Sequence, residues 1–386
     1  MSEKGRAAGS LVGGNVENPQ IAALLASHVI SSRVAPAACA GYANERGTLA
    51  LGGAGALPGG VEVTARTVFD LASVSKPIVA CALSRLVDQG LLEMSAPLGH
   101  VLPELADTRS APVPLELLLA HRAGLEGHRA LFAPVLQGRP FRRREALRSA
   151  ADARRPDCAG SPPSEGFPPL YSDLGYVLLG ACIEAVTREA LDRVIEREVA
   201  LPLGLELGSA RVLLGRQPSF ARHVAPTEIV RARGGCVRGV VHDENAWALS
   251  GHACSGHAGL FGTVRDVLAF GAALLAAHAG SSAWLSRAAL ERLVRARPGG
   301  TLRAGFDGKS QGGSSAGALA GPQTFGHLGF TGTSLWCDPG AGIATVLLTN
   351  RVHPTRDNPR IRAARPLVHD ALFRAASALL PGAPNP

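Results

Sequence analysis

Lysine is almost missing from this chain of 386 residues: Lys4, Lys76 and Lys309 stand among 39 basic residues, and the rest are arginine. Arginine keeps its proton in proteins, whereas a buried lysine can release one and act as a base. The near-absence therefore draws attention to Lys76. Aromatic residues are also sparse, at 4%, so the stacking platforms of single-strand nucleic-acid binders are lacking. The formal net charge of +8 brings nucleic acid into consideration, but the arginines are scattered. Their densest run, Arg142-Arg143-Arg144, shares a short helical stretch with Glu145 and Arg148 and reads as a solvated helix face. No nucleic-acid partner is expected.

A membrane-spanning run is lacking too. The best apolar stretch, Val267 to Ala277, ends at His278 and is too short to cross a bilayer. The opening MSEKGRAAGSLVGG shows no charged segment leading into an apolar one, so no secretory signal is read. Seven cysteines, an odd number and widely spaced, do not form a disulfide framework. Reduced thiols and a cytoplasmic location are the expectation.

What is present is a globular composition, 46% hydrophobic and 18% charged, long enough for one elaborate domain or two intertwined ones. Residues 1–15 read as a flexible tail, and 16–386 as a single catalytic domain. A helix is predicted over Ile21–Val29, where Ile21, Leu24, Leu25 and Val29 share a face. Strands follow at Ala37–Tyr42 and Thr48–Gly52 around the turn Asn44-Glu45-Arg46-Gly47. The far end mirrors this with strands at Thr324–Gly329, Thr333–Cys337 and Ile343–Thr349, then an apolar helix at Pro366–Leu380. Short turns imply antiparallel neighbours. The fold class is thus α/β of the α+β kind. One antiparallel sheet is built from both chain ends (16–72 and 236–386), flanked by helices and accompanied by a mostly helical region (73–235). A cleft between the two would be the natural pocket. Residues 307–321 read as a flexible Gly/Ser loop.

Three segments carry chemistry. Phe69-Asp70-Leu71-Ala72-Ser73-Val74-Ser75-Lys76-Pro77 opens a helix predicted to run to about Gln89 and stop at Gly90, with Pro77 suited to a first turn. Ser73 and Lys76 are three apart and face the same way. A serine hydroxyl needs a nearby base to become nucleophilic, and a helix N-terminus offers free N–H groups to an oxyanion. Alone, the pair is equally a capping serine and a surface lysine. Tyr171-Ser172-Asp173-Leu174-Gly175-Tyr176 holds two of the chain's three tyrosines just before an apolar helical run, Val177 to Val186. Ser172 and Asp173 suit helix capping. Tyr171 is either a packed aromatic or, beside a cationic lysine, a phenol able to lose its proton. Gly326-His327-Leu328-Gly329-Phe330-Thr331-Gly332-Thr333 reads as an inner strand and turn whose exposed backbone can offer an oxyanion N–H.

With these residues in view, the chain resembles the serine β-lactamase and penicillin-binding superfamily. The closest likeness is to its class C β-lactamase-like branch, which also holds esterases, DD-peptidases and D-aminopeptidases. The family's S-x-x-K, Y-x-N and K-T-G or H-x-G motifs correspond in order to Ser73–Lys76, Tyr171–Asp173 and His327–Gly329. Connecting segments are similar as well: Leu117–Leu125, Val241–Ala246, Gly256–Phe261 and Leu347–Arg351. The resemblance implies a β-lactamase/transpeptidase-like fold and a covalent acyl-enzyme formed on an ester or amide, with no cofactor and no metal. It implies Ser73 as nucleophile and Lys76 and Tyr171 sharing the proton transfers, with the first base left open. The N–H groups of Ser73 and Phe330 would form the oxyanion hole, and Asp173, His327 and Gly329 would bind substrate. Two departures weigh against efficient β-lactam hydrolysis. Asp173 replaces an amide donor by an acceptor when ionised, and Leu328 removes a hydroxyl suited to holding a substrate carboxylate. The partner is accordingly a small ester, amide or peptide. A protein on the same scaffold that acylates without turnover is the alternative.

Two other patterns compete for attention. Gly313-Ser314-Ser315-Ala316-Gly317 fits G-x-S-x-G, but that motif requires a strand before it and a helix after it. His242, His252, Cys254 and His257 suggest zinc, yet lack the flanking pattern of a zinc helix. Loop-fixing roles for His242-Asp243-Glu244-Asn245 fit better, and Thr263-x-x-Asp266 reads as a capping box.

Overall fold

The computed structural model describes residues 17–379. The tail expected over 1–15, and the last residue of the expected closing helix, lie outside the described residues. Alternation at the two chain ends sets the architecture. In strand β1 (Ala37–Asn44), Ala38, Ala40 and Tyr42 enter one apolar cluster while Ala37, Cys39 and Ala43 enter another. Strand β7 (Ile343–Thr349) divides likewise, Leu347 to one side and Ala344, Val346 and Leu348 to the other. Both faces of the sheet are therefore covered.

Seven antiparallel strands make the sheet: β1, β2 (Gly47–Leu57), β3 (Val61–Glu62), β4 (Asp307–Gly308), β5 (Phe325–Leu328), β6 (Ser334–Asp338) and β7, in spatial order β3-β2-β1-β7-β6-β5-β4. The N-terminal hairpin thus joins the C-terminal strands through β1 and β7, with Ala40 opposite Leu347. The C-terminal strands lie within a residue of expectation. Strand β2 runs five residues past its predicted end, through Gly53-Ala54-Gly55-Ala56-Leu57, where small residues leave no alternation to read. Helix α1 (Pro19–Leu25), capped by the Asn18 side chain on Gln20 N, passes directly into a wider turn over Ala26–Ser31. It covers one sheet face together with the C-terminal helix (Ile361–Ser377).

The other face carries the helix Val264–Ala279, opened by the expected Thr263/Asp266 capping box. Gly271 makes its close approach possible, because a Cβ there would lie 2.9 Å from Ala344 Cβ. The same apolar cluster continues into the helical region through α2 (Ser75–Asp88) and α3 (Asp173–Thr187). Three helices of the C-terminal part are, in chain order, α4 (Val264–Ala279), α5 (Arg287–Val294) and α6 (Ile361–Ser377).

Several expectations need correction. The region 73–235 also holds short strands at Gly208–Ser209, Ile229–Val230 and Gly235–Cys236, the first pairing with Leu260–Gly262. Helix α6 begins at Ile361, five residues before Pro366, because Ile361 and Ala364 are drawn into the core. The 307–321 segment is anchored rather than loose. Lys309 Nζ binds the carbonyls of Ala318 and Ala320, Leu319 N donates to Asp370 Oδ1 at 2.8 Å, and Ala316 is buried. Its G-x-S-x-G run leads to strand β5, not to a helix. Among the described residues no helix is long and apolar enough to cross a membrane.

Candidate active site

A two-residue strand, Phe69–Asp70, pairs with Phe261–Gly262 and delivers the chain to Ser73. Ala72 then adopts a left-handed conformation (φ 47°), which costs an L-residue roughly 1–2 kcal/mol. Asp70, buried, holds the turn: Oδ1 accepts from Ala72 N at 2.8 Å and Oδ2 from His242 N at 2.7 Å. Ser73 consequently lies in a tight 3-10 turn over Ala72–Val74, and α2 proper starts at Ser75. The helix expected to open within Phe69–Pro77 thus starts at Ser75, with Pro77 in its first turn.

Lys76 is fully buried and meets three acceptors: Ser73 Oγ at 2.8 Å, Asp173 Oδ1 at 2.7 Å and the His257 carbonyl at 3.2 Å. An ammonium has three N–H bonds, so each has a partner. Burial alone would depress the Lys76 pKa, but Asp173 and Tyr171 reverse the sign and leave it raised. Burial likewise opposes the charge on Asp173, yet Lys76, with His257, holds that carboxyl below its ordinary range. Tyr171 donates to Ser73 Oγ at 2.9 Å. Burial raises its pKa, against the pull of the nearby ammonium.

Ser73, Lys76 and Tyr171 therefore converge as the motif order suggested. Asp173, expected to bind substrate, is ion-paired to Lys76 through Oδ1. The capping roles foreseen for Ser172 and Asp173 are also absent. Ser172 Oγ donates to the Glu126 carbonyl at 2.6 Å instead.

The third motif packs against the Ser73 turn. Thr331 Oγ1 donates to the Asp70 carbonyl and Thr333 Oγ1 to the Leu71 carbonyl, at 2.8 and 2.9 Å, stitching this turn to the Ser73 turn. A Cβ on Gly329 would lie 1.9 Å from Thr333 Oγ1 and 2.6 Å from Leu71 O, so Gly329 serves close approach. Its carbonyl accepts from Gly332 N and from the buried Arg365 of α6 at 3.1 and 2.7 Å. A trans peptide points its N–H opposite to its C=O, so the Phe330 N–H is held facing away from Arg365. The Phe330 ring is half-exposed and stacks on His242 and Arg351. His327 is buried, with its pKa pushed down to about 3 by burial and by Lys76. Nδ1 lies 2.8 Å from the Leu328 carbonyl. That oxygen can only accept, so Nδ1 carries the proton and Nε2 presents a lone pair.

Residues outside the motifs complete the site. His121, itself left-handed (φ 59°), accepts from Ser172 N through Nδ1 at 3.0 Å and stacks on Tyr171 at 4.7 Å. Burial and Lys76 lower its pKa to about 3, so it is neutral. His257 Nε2 lies 2.7 Å from Asp243 Oδ1, and Asp243 also caps Glu244–Ser250. His121, Asp243 and His257 all fall in the connecting segments singled out from the sequence, where nothing indicated these contacts. Arg365 carried no sequence signal. His242 faces Glu228, and among the described residues no three His, Cys, Asp or Glu side chains group as metal ligands do.

With the geometry established, the chain was compared with known proteins. A family model described as "Beta-lactamase" matches residues 21–370. A "Putative D-alanyl-D-alanine carboxypeptidase" of Salmonella agona (strain SL483) is 29% identical over 324 residues, covering 77% of this chain and 72% of the relative. Among solved structures, "EstCE1, a hydrolase with promiscuous acyltransferase activity" aligns with a TM-score of 0.67 at 23% identity, covering 91% of this chain and 98% of that one. The octameric penicillin-binding protein homologue from Pyrococcus abyssi aligns at 0.66 and 18% identity, covering 91% and 77%. At these identities the structural matches establish the fold.

Proposed function

The chain belongs to the β-lactamase family, and from that premise we propose that Ser73 is the nucleophile of a serine hydrolase working through an acyl-enzyme. The observation that carries the assignment is that Lys76 Nζ and Tyr171 Oη both lie within 3 Å of Ser73 Oγ, at 2.8 and 2.9 Å.

The proton arrangement supports a division of roles. Lys76 has all three N–H bonds engaged and a raised pKa, so it enters the reaction as a cation. Tyr171 then acts in its ionised form: once the phenol has lost its own proton to solvent, against burial but with the help of the adjacent ammonium, the phenolate accepts the Ser73 proton. Ser73 Oγ attacks the carbonyl carbon, and the developing oxyanion is received by the N–H groups of Ser73 and Phe330. One such donor is worth about 3 kcal/mol in the transition state. Tyr171 returns the proton to the leaving alcohol or amine, and a water molecule then releases the acid by the same route in reverse.

The polarity of the pocket bears on substrate class. Asp173 keeps Oδ2 free of the ion pair and His327 offers a lone pair at Nε2; both are acceptors. The two cations on the Phe330 ring are already engaged, Arg351 by the carbonyls of Phe330, Arg356 and Asn358, and Arg356 by Glu228 and Glu244. Such a pocket suits neutral esters, or amides bearing N–H donors, better than substrates ending in a carboxylate. The relatives named as putative carboxypeptidases supply the competing reading, a peptide ending in D-alanine.

Intact-mass analysis after a fluorophosphonate probe tests the nucleophile. One adduct is expected on the wild type and none on Ser73→Ala; an alanine variant that still labels and still cleaves a nitrophenyl ester would remove Ser73 from the mechanism. A panel of nitrophenyl esters, D-amino-acid amides, D-alanyl-D-alanine peptides and a chromogenic cephalosporin then separates the substrate readings.

A further inference from the structure

The turn that carries the Phe330 N–H is closed by its own backbone. Gly329 N donates to the Thr333 carbonyl at 2.7 Å, and Gly332 N donates to the Gly329 carbonyl at 3.1 Å. Arg365 Nη2, reaching in from α6, is a second donor to each of these carbonyls, at 2.7 Å to Gly329 and 2.9 Å to Thr333. The turn therefore has its closing bonds without the arginine. The guanidinium is buried, and a buried charge without a counter-charge costs stability. Burial, and then the neighbouring Arg351, push its pKa down to about 9. Among the described residues no carboxylate pairs with it, and the two carbonyls are its hydrogen-bond partners.

The Gly329 carbonyl and the Phe330 N–H belong to one planar peptide unit, with the oxygen at one end and the amide hydrogen at the other. A cation bonded to that oxygen polarises the unit and strengthens its N–H as a donor. It also fixes the direction in which the N–H points. An anion accepting from this N–H would lie about 8 Å from the guanidinium, on the far side of the same peptide.

We propose that Arg365 is a positioning residue of the oxyanion hole. Through the Gly329–Phe330 peptide it orients and polarises the Phe330 N–H, and its charge gains a counter-charge as the oxyanion forms. This rests on the reading of Ser73 as nucleophile and of the Ser73 and Phe330 N–H groups as the oxyanion donors. An interaction that strengthens as charge develops on the substrate oxygen speeds the chemical steps and leaves substrate binding alone. One unit charge at this distance, in a half-screened interior, amounts to about 30-fold in rate.

Arg365→Met removes the charge and keeps an apolar side chain, and the turn retains its own hydrogen bonds. On nitrophenyl acetate its kcat should fall about 30-fold with KM within about twofold of wild type, because acylation and deacylation both pass through an oxyanion. Phenylboronic acid supplies a readout that lost packing would not move. Its boron binds the Ser73 oxygen and becomes a tetrahedral anion while the serine proton passes to solvent, so its inhibition should weaken about 30-fold in parallel with kcat. Arg365→Lys and Arg365→Gln both keep N–H donors and differ in charge; the lysine variant should recover most of kcat and the glutamine variant little. That pair keeps the test open if the methionine variant does not fold. A kcat within about threefold of wild type in Arg365→Met, a change confined to KM, unaltered boronate affinity, or a lysine variant no better than the glutamine one would each overturn the proposal. Ser73→Ala separates the two failures. If it is inactive, those outcomes count against Arg365 alone; if it still turns over, the nucleophile falls and the role of Arg365 with it.

Discussion

Asparagine in place of Asp173 separates charge from shape at the centre of the site. Asp173 Oδ1 lies 2.7 Å from Lys76 Nζ, and the two side chains are 20% and 0% exposed. An opposite charge this close typically moves a pKa by about 1–3 units, at 1.36 kcal/mol each. Asp173 raises both Lys76 and Tyr171, so both fall in the variant. The acid limb of kcat/KM against pH reports the base of the free enzyme and should therefore move to lower pH by about one unit or more, whichever of the two residues it reflects. Stability gives an independent reading. Lys76 is raised in the folded state, so its share is complete below the unfolded lysine value of about 10.4 and is lost as pH climbs through the folded one. Asp173 is depressed, so its share is present above about 3.9 and is lost as pH falls through the folded value. Denaturant unfolding should show the variant destabilised by about 3 kcal/mol between those limits, with the gap closing at either end. An acid limb that stays in place or moves to higher pH would refute the proton assignment.

Other substitutions probe the same geometry. Lys76→Arg keeps the charge but puts a planar fork where three acceptors surround one nitrogen; kcat should fall about 100-fold or more, and activity within a few-fold of wild type would exclude the role given to Lys76. His121→Leu removes the acceptor for Ser172 N and the stack on Tyr171, and should cost about 1–3 kcal/mol by denaturant unfolding, with kcat falling more than KM changes. His121→Asn, which tolerates the left-handed backbone and keeps an acceptor, should recover part of both. Gly329→Ala places a methyl against Thr333 Oγ1 and Leu71 O. By displacing the Phe330 N–H it should lower kcat about 100-fold or more, with fluorophosphonate labelling slowed in parallel.

Much of the fold was legible because it follows from local pattern. The apolar run Ile343–Thr349 and the hairpin turn after Asn44 carry period-two or turn chemistry that survives without tertiary context. Local pattern failed where a distant partner decides. The extension of β2 over Gly53–Leu57 is held by pairing to β1 and β3, not by its own side chains. The early start of α6 follows from burial of Ile361 and Ala364 against the sheet. Arg365, one residue before the proline taken as that helix's start, had nothing in its surroundings to single it out. It is buried because the carbonyls of Gly329 and Thr333 receive it, and no periodicity announces an acceptor 32 or 36 residues away.

The active site divides along the same line. Ser73 and Lys76 sit one helical turn apart, so their proximity is a property of the sequence, and the scarcity of lysine marks the pair. Tyr171 stands 98 residues from Ser73, and motif order alone linked them. Asp173 shows where such linkage stops. Two residues beyond Tyr171, it opens α3 as expected, and spacing says that it lies near the pocket. Whether its carboxylate meets substrate or Lys76 depends on how α3 approaches α2. The structure resolves this through groups invisible in the motif: His121 fixes the backbone at Ser172, Ser172 Oγ is drawn to the Glu126 carbonyl, and the next side chain is thereby turned toward the ammonium. Aspartate there is consequently a statement about protonation. An amide at that position would leave the lysine free to lose its proton, whereas a carboxylate holds the proton on the lysine, and the proposed mechanism then needs the phenolate form of Tyr171 to take one from the serine.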